Sequence, residues 1–309
     1  MKGRYEPTIT LILLLLPLTF VLRGGYLQKV TGYVYLFLIQ GYVAWFLFFK
    51  SGQPFFGYSV TMAIGAYGTI ILTGRYGLPL YLSILISISF ASLVNVIVFL
   101  ATSRAKGFYV SMASFLLAIL FPNLIEAMQA ITGGRSGFYF SMISTASGFN
   151  ILYIILIILS ILIIAFLIWL METKTGKILT IICENDQLAQ AVGLNTFKYK
   201  LFAYSLAGII SGIGGALYVT YTGFISSVDI EVFTTVYIFF IPLLGGSKVL
   251  YGPVFGALFV ILVPELLVPV ERYIRIFFGL IFILVIVFLP DGLAPCLKKM
   301  ISRLKEKNK

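Results

Sequence analysis

Residues 183–194 read CENDQLAQAVGL and form a polar stretch, rich in helix-forming residues, between long apolar runs. Asn185 is placed to cap a helix here, because its side chain can accept hydrogen bonds from the exposed N–H groups of the first turn. Glu184 and Asp186 suit the positive end of the helix dipole. Gly193 can adopt the left-handed conformation that ends a helix. The stretch therefore predicts a short, capped helix outside the membrane.

One side of this predicted helix, over residues 186–192, is apolar. Its stripe is formed by Leu188, Ala189, Ala191 and Val192. Two interpretations are open at this point. The stripe docks into a groove on a partner protein, or the helix lies flat on the membrane surface.

The composition is that of a membrane protein. The 309 residues are 60% hydrophobic and 11% charged, whereas soluble domains carry about 25% charged residues. The mean hydropathy is +1.06, so the bilayer is the natural solvent. The net charge is +11, but the basic residues lie between apolar runs and are not interleaved with aromatic residues. We therefore expect no nucleic-acid partner.

Ten apolar runs predict an all-α fold, a polytopic transmembrane helical bundle, because about 20 helical residues cross the hydrocarbon layer. Runs 8–22 and 232–245 are short for a full crossing. Run 54–74 is rich in glycine, so a continuous helix and a broken or re-entrant helix are both open. The ten runs are 8–22, 30–49, 54–74, 78–102, 107–131, 149–171, 201–222, 232–245, 250–270 and 273–290.

The basic residues orient this bundle. With ten spans, 16 of the 22 Lys and Arg residues fall on the side of both termini, and the positive-inside rule places that side in the cytoplasm. This predicts an N-in/C-in transmembrane domain over 1–297, a cytoplasmic segment at 172–200 and a basic cytoplasmic tail at 298–309 that contacts membrane lipids. Run 8–22 lacks a cleavage site, which favours a retained span over a signal peptide.

The sequence lacks the residues of an enzyme. There is no histidine, and the two cysteines, Cys183 and Cys296, stand far apart, so neither a metal site nor a disulfide framework is expected. No glycine-rich loop is followed by Lys-Ser or Lys-Thr, which a phosphate-binding loop requires. We expect a protein that is not an enzyme, with no metal and no cofactor of its own.

Short motifs occur in order on both sides of the polar stretch. The motifs are GFY at 107–109, TGGRSG at 132–137, GKIL at 176–179, CEND at 183–186, GLN at 193–195, KYKL at 198–201, SLAG at 205–208, GGALY at 214–218, GFIS at 223–226, LGGS at 244–247, YGPVFGA at 251–257 and LPDGL at 289–293. In this order they resemble the LivM-type permeases of branched-chain amino acid ABC transporters, in the LivH/LivM family, and the resemblance covers roughly residues 30 to 295.

The resemblance implies a function and a set of partners. The chain would be the permease subunit of an ABC importer for amino acids, above all branched-chain ones, in the cytoplasmic (inner) membrane of a prokaryote. Two partner ATPase subunits would bind ATP, an extracellular or periplasmic binding protein would deliver the solute, and a second permease, LivH-like or a second copy, would complete the pore. The residues that would couple to the ATPase are Glu184, Asn185, Asp186, Ala189, Ala191 and Gly193.

Small and polar residues within the runs are candidates for the solute path. Glycines let helices approach closely, so packing alone is the other interpretation for them. A carboxylate in a span is functional by default, although Glu126 lies near the outer end of its run. The candidates are Thr61, Gly65, Tyr67, Gly68, Ser111, Ser114 and Glu126.

Other classes of transport protein remain open from the sequence. ABC permeases of this kind also serve urea, amides and sugars. A stand-alone secondary transporter or channel for a small polar solute predicts ionisable residues in the middle of spans, and few are present here. A purely structural scaffold predicts no polar path between the spans.

Overall fold

The computed structural model describes residues 25–105, 107–139, 146–266, 279–280, 282–284, 287–289 and 292–296. Two predicted features, run 8–22 and the tail 298–309, lie outside the described residues. So does most of run 273–290. The side-chain description of helix α6, defined below, begins at residue 151.

Helices account for most of the described chain, as the apolar runs predict. A π-helical turn, Trp45–Lys50, continues the first helix, and two short strands pair with each other. The elements are α1 (Tyr26–Ala44), α2 (Tyr58–Gly74), α3 (Leu80–Thr102), α4 (Phe108–Ala127), α5 (Gln129–Thr132), β1 (Phe138–Tyr139), α6 (Ala146–Glu172), α7 (Lys174–Glu184), α8 (Asp186–Ala191), α9 (Thr196–Thr222), β2 (Phe224–Ile225), α10 (Val232–Gly245) and α11 (Gly252–Leu266).

Several of these helices are membrane spans by length and composition. Within the described ranges, five are long and apolar enough to cross a bilayer, while α10 and α11 are shorter apolar helices. The predicted all-α membrane bundle is confirmed. The count of ten spans and the N-in/C-in orientation remain predictions. The five spans are Tyr26–Lys50, Leu80–Thr102, Phe108–Ala127, Ile151–Glu172 and Thr196–Thr222.

Helix α9 lies at the centre of the bundle and packs against α2 and α3 through glycines. A Cβ added at Gly65 would overlap with the carbonyl oxygen of Gly212, and one added at Gly215 would overlap with that of Met62. A Cβ at Gly212 would lie 2.9 Å from the Cβ of Ala91. Glycine lets the backbones approach this closely, so dispersion contacts hold the three helices as one block.

The chain between α1 and α2 is extended. This link, residues 51–57, enters the protein, and α2 starts only at Tyr58 although its apolar run begins at residue 54. Hydroxyl groups from two other helices accept hydrogen bonds from backbone N–H groups at the end of the link and in the first turn of α2. The Phe56 N–H donates to Ser114 Oγ of α4 at 2.9 Å, and the Ser59 N–H donates to Thr235 Oγ1 of α10 at 3.1 Å. Helix α2 is therefore capped from outside its own sequence neighbourhood.

Contacts between loops define two ends of the bundle. At the hairpin end, β1 pairs with β2 and the Ser227 hydroxyl donates to Glu126 Oε1 at 2.9 Å. At the α8 end, Gly52 lies against Cys183. The indole N–H of Trp45 donates to the carbonyl oxygen of Ser247, in the loop after α10, at 3.0 Å. The distribution of Lys and Arg residues also predicts that these two groups of loops lie on opposite sides of the membrane.

Candidate functional site

Helix α8 has the caps that the sequence predicts. Asn185 Oδ1 accepts a hydrogen bond from the Leu188 N–H at 3.0 Å, and Gly193 has a φ of 84°. The Leu194 N–H donates to the Ala189 carbonyl at 3.1 Å, which closes the last turn. Both predicted caps are confirmed, so α8 is a defined helix although it has only six residues.

Polar side chains connect α8 to the start of α9. Lys200 Nζ lies 2.8 Å from Asp186 Oδ2, and the Gln190 amide donates to Asp186 Oδ2 at 3.3 Å and to Thr196 Oγ1 at 3.2 Å. Asp186 and Gln190 stand one helical turn apart, so their pairing follows from sequence spacing. The contact between Asp186 and Lys200 does not follow from sequence spacing, because it depends on the conformation of the turn between α8 and α9. These contacts join α8 to the first turns of the central helix.

The apolar residues of α8 lie on two different faces. Leu188 and Val192 are 59% and 68% exposed, and Ala191 is also exposed, whereas Ala189 is 0% exposed. The prediction of one stripe that includes Ala189 is wrong. Residue 189 is rotated about 100° from residue 188 around the helix axis, so its methyl group points into the chain's own core. The outer face of α8 consists of Leu188, Ala191 and Val192.

Replacing Gly193 with valine is expected to weaken α8. In the described part of the chain no heavy atom lies within 4 Å of an added Cβ, so the expected cost is that of the positive φ, about 1–2 kcal/mol for a residue with a Cβ. We expect faster proteolysis at residues 185–195 in the purified protein. Gly193→Asn is the matched control, since asparagine tolerates this conformation; equal protection of both variants would contradict the prediction.

Breaking the contact between Asp186 and Lys200 is expected to have a modest effect on stability. Their side chains are 39% and 21% exposed, and solvent screening limits such pairs to about 0.2–1 kcal/mol. A double-mutant cycle with Asp186→Asn and Lys200→Met, read as thermal stability in detergent, should give a coupling energy in that range. Additive single effects would show that the contact contributes nothing.

Two of the predicted path residues with hydroxyl groups, Thr61 and Ser114, connect helices to one another. The Thr61 and Ser211 hydroxyls lie 2.9 Å apart, and Ser211 donates to Gln40 Oε1 at 2.8 Å. The Gln40 amide donates back to the Ser211 carbonyl at 3.1 Å. Ser114 is fully buried and caps the N–H of Phe56. These groups satisfy one another inside the bundle, as buried polar groups in a membrane must.

The glycines and the tyrosine of the predicted path are also packed between helices. Gly65 faces the backbone of α9, and a Cβ at Gly68 would lie 2.5 Å from Ser87 Oγ of α3. Tyr67 is 4% exposed, and its hydroxyl has no hydrogen-bond partner within the described part of the chain. The packing interpretation is the one that the structure supports for both glycines.

The last two predicted path residues reach open surfaces. Ser111 lines an apolar cavity of about 400 Å³ between α4 and α10. Glu126 lies at the hairpin end, where it accepts from Ser227 and lies 3.4 Å from Arg135 Nε. Glu126 thus connects the end of α4 to the loop before α10, and Ser111 is the residue of the set that lies beside a cavity.

A second cavity lies at the α8 end, and its position could not be read from the sequence. It has a volume of about 770 Å³ and is bordered by the extended link, by the loop between α3 and α4, and by α8 with the start of α9. Polar and charged side chains line part of it, and apolar side chains line the rest; the polar ones include Gln53, Arg104, Asp186, Gln190 and Lys200. Of these, Asp186 is the residue that the sequence analysis names as a site residue.

Comparison with known proteins identifies the family. The model of the branched-chain amino acid transport system permease component matches residues 26–286. The chain belongs to this family. The resemblance seen in the motifs is therefore confirmed, and members of the family are transport subunits and not catalysts. No solved structure matches the chain.

Individual relatives of the permease family are distant. The high-affinity branched-chain amino acid permease protein LivM of Escherichia coli is 22% identical over 84% of this chain and 67% of that protein. The probable LivH of Methanocaldococcus jannaschii is 26% identical over 55% of this chain and 58% of its own length. The autoinducer 2 import permease LsrC of Escherichia coli is 29% identical over 48% of this chain and 45% of its own length. The chain thus spans about two thirds or less of these relatives.

Proposed function

We propose that the chain is one permease subunit of an ABC importer in the cytoplasmic membrane of a prokaryote. The observation that supports this most directly is α8: a short, doubly capped helix with an apolar outer face that stands between two spanning helices and is tied to the central one. Two ATPase subunits would dock on that face. A second permease, similar to LivH or a second copy, would complete the pore, and an external binding protein would deliver the solute.

The packing suggests how ATP hydrolysis in the partners is used. When the ATPases close, α8 moves with them, and the contact between Lys200 and Asp186 passes the motion to α9. Helix α9 is locked to α2 and α3 by close glycine contacts, so these three helices shift as a rigid block. Closely packed blocks move as units and do not deform continuously, which suits alternating access.

Amino acids, above all branched-chain ones, are the proposed solutes. The family description and the LivM and LivH relatives support this assignment. A second candidate is autoinducer 2, supported by the LsrC relative, which matches about half of the chain. Both candidates use the same docking helix and the same partners.

ATP-driven uptake tests the proposal. The complex is purified from the native host through a tag on this chain, reconstituted in liposomes, and supplied with labelled leucine or labelled autoinducer 2. We expect leucine uptake that requires both ATP and the binding protein. Preferred uptake of autoinducer 2 would favour the second candidate. Uptake by the isolated chain without ATPase would instead favour a secondary transporter or channel.

A further inference from the structure

The two cavities are lined by side chains that contact one another. The cavity at the α8 end, called the polar cavity because charged side chains line part of it, is lined by Phe48 and by Gly52 to Pro54 of the extended link. The apolar cavity is lined by Phe56, Ser111 and Phe239. Helix α4 contributes lining residues to both cavities. The rings of Phe48, Phe56 and Phe239 lie where the two cavities approach each other.

Three phenylalanine rings form a layer at this point, and the ring of Phe49 packs against two of them. The ring centroids of Phe48 and Phe239 lie 5.0 Å apart, those of Phe48 and Phe56 lie 6.0 Å apart, and those of Phe56 and Phe239 lie 4.7 Å apart. All three side chains are half-buried, which fits rings that face a cavity. They are called the phenylalanine layer below.

We propose that the phenylalanine layer is the gate of the solute path on the α8 side. Closely packed aromatic rings without polar atoms exclude water, and a narrow apolar constriction blocks polar solutes and ions in the same way. Opening needs only a small shift, because each ring belongs to a different element: the π-helical turn, the extended link and α10. A change in the angle of α10 would separate Phe239 from the other two rings.

Hydrogen bonds hold the elements on either side of the phenylalanine layer. Thr235, one turn before Phe239, holds the start of α2 through Ser59, with Oγ atoms 2.7 Å apart. Ser114 of α4 holds Phe56. Hydroxyl groups thus hold the backbone of Phe56 and join α10 to the start of α2, while the three rings pack through apolar contacts. Such contacts can be exchanged without leaving a polar group unsatisfied.

Thiol labelling in membrane vesicles tests the gate without ATP or partner subunits. Cys183 and Cys296 are replaced by serine, and a reporter cysteine is placed either in the apolar cavity (Ser111→Cys) or in the polar cavity (Ser103→Cys). A charged, membrane-impermeant thiol reagent is added on the α8 side. We expect Ser103→Cys to react quickly and Ser111→Cys to react about tenfold more slowly or not at all.

Removing a ring of the layer should open the gate. Phe239→Ala or Phe48→Ala is expected to bring the labelling rate of Ser111→Cys to that of Ser103→Cys. Phe166→Ala is the matched control, because this ring lies on α6 and is 41% exposed; it should leave Ser111→Cys protected. Phe239→Leu, which keeps apolar bulk, should give an intermediate rate and serves if the alanine variant folds poorly.

Two results would overturn the gate. One is fast labelling of Ser111→Cys while the layer is intact. The other is continued protection in both Phe239→Ala and Phe48→Ala. Either result leaves ATP-dependent uptake by the complex as a separate measurement, so the importer assignment does not fall with the gate. Conversely, labelling that depends on the phenylalanine layer, in a complex without ATP-driven uptake, would support the gate and contradict the importer function.

Discussion

Replacing Leu188 with glutamate is expected to abolish ATP-driven uptake while the amount of permease in the membrane stays unchanged. Leu188 is 59% exposed on the outer face of α8, so the chain's own fold does not need it, and exposed substitutions change stability by about 0.5 kcal/mol or less. In the docked complex the same side chain would be desolvated. Loss of such an anchor typically costs about 2–4 kcal/mol, which weakens docking roughly 30- to 1,000-fold.

The measurement is ATP hydrolysis stimulated by the solute-loaded binding protein, together with uptake in liposomes. Gln187→Glu is the control, because it introduces the same charge change at the neighbouring exposed residue and removes no apolar anchor. We expect that control to retain most of the activity. Ala189→Glu, by contrast, should destabilise the permease itself, since Ala189 is buried and an unpaired charge there is costly. Normal coupling in Leu188→Glu would contradict docking at this face.

Replacing Gly215 is expected to have the largest effect on folding. A Cβ at this position overlaps with the backbone oxygen of Met62 and lies 2.9 Å from the backbone nitrogen of Ala66. Backbone cannot rotate away as a flexible side chain can, so α9 and α2 would have to separate. Overpacking of this kind costs about 1–3 kcal/mol for small additions. We expect Gly215→Ala to lower the melting temperature in detergent and Gly215→Leu to leave no folded permease.

Gly279 offers a matched control for this prediction. It too is helical, but no heavy atom of the described residues stands within 4 Å of an added Cβ. Gly279→Ala should therefore leave the melting temperature unchanged or raise it slightly, because alanine favours helix. A Gly215→Ala variant as stable as the parent protein would show that α9 and α2 are not packed as described.

Local features of the fold could be predicted from the sequence because their causes lie close together in the chain. The cap at Asn185 needs only the N–H groups of the next turn, and the end at Gly193 needs only the conformational freedom of glycine. The bounds of run 232–245 coincide with those of α10, because the helix ends at the same positions as the apolar run. Local pattern and local physics agree at all three.

The features that were missed depend on residues far apart in sequence. The burial of Ala189 follows from how α8 folds back on its own chain, which its spacing does not encode. The hydroxyls of Thr61 and Ser114 could serve either a path or a helix contact, and only their partners, the Ser211 hydroxyl and the Phe56 N–H, decide between the two. A single sequence gives the polarity of a residue, but not its partner.

The capping of α2 by Ser114 and Thr235 has a consequence for biosynthesis. Thr235 is synthesised 176 residues after Ser59, the residue whose N–H it accepts. At about 5–20 residues per second, this delay is roughly 10–35 s on the ribosome. During that time the nascent segment has reached the insertion machinery without the groups that complete its first turn. Its 17 helical residues are also short for a bilayer crossing, which takes about 20. We therefore expect this segment to settle into the membrane only once the later helices have arrived.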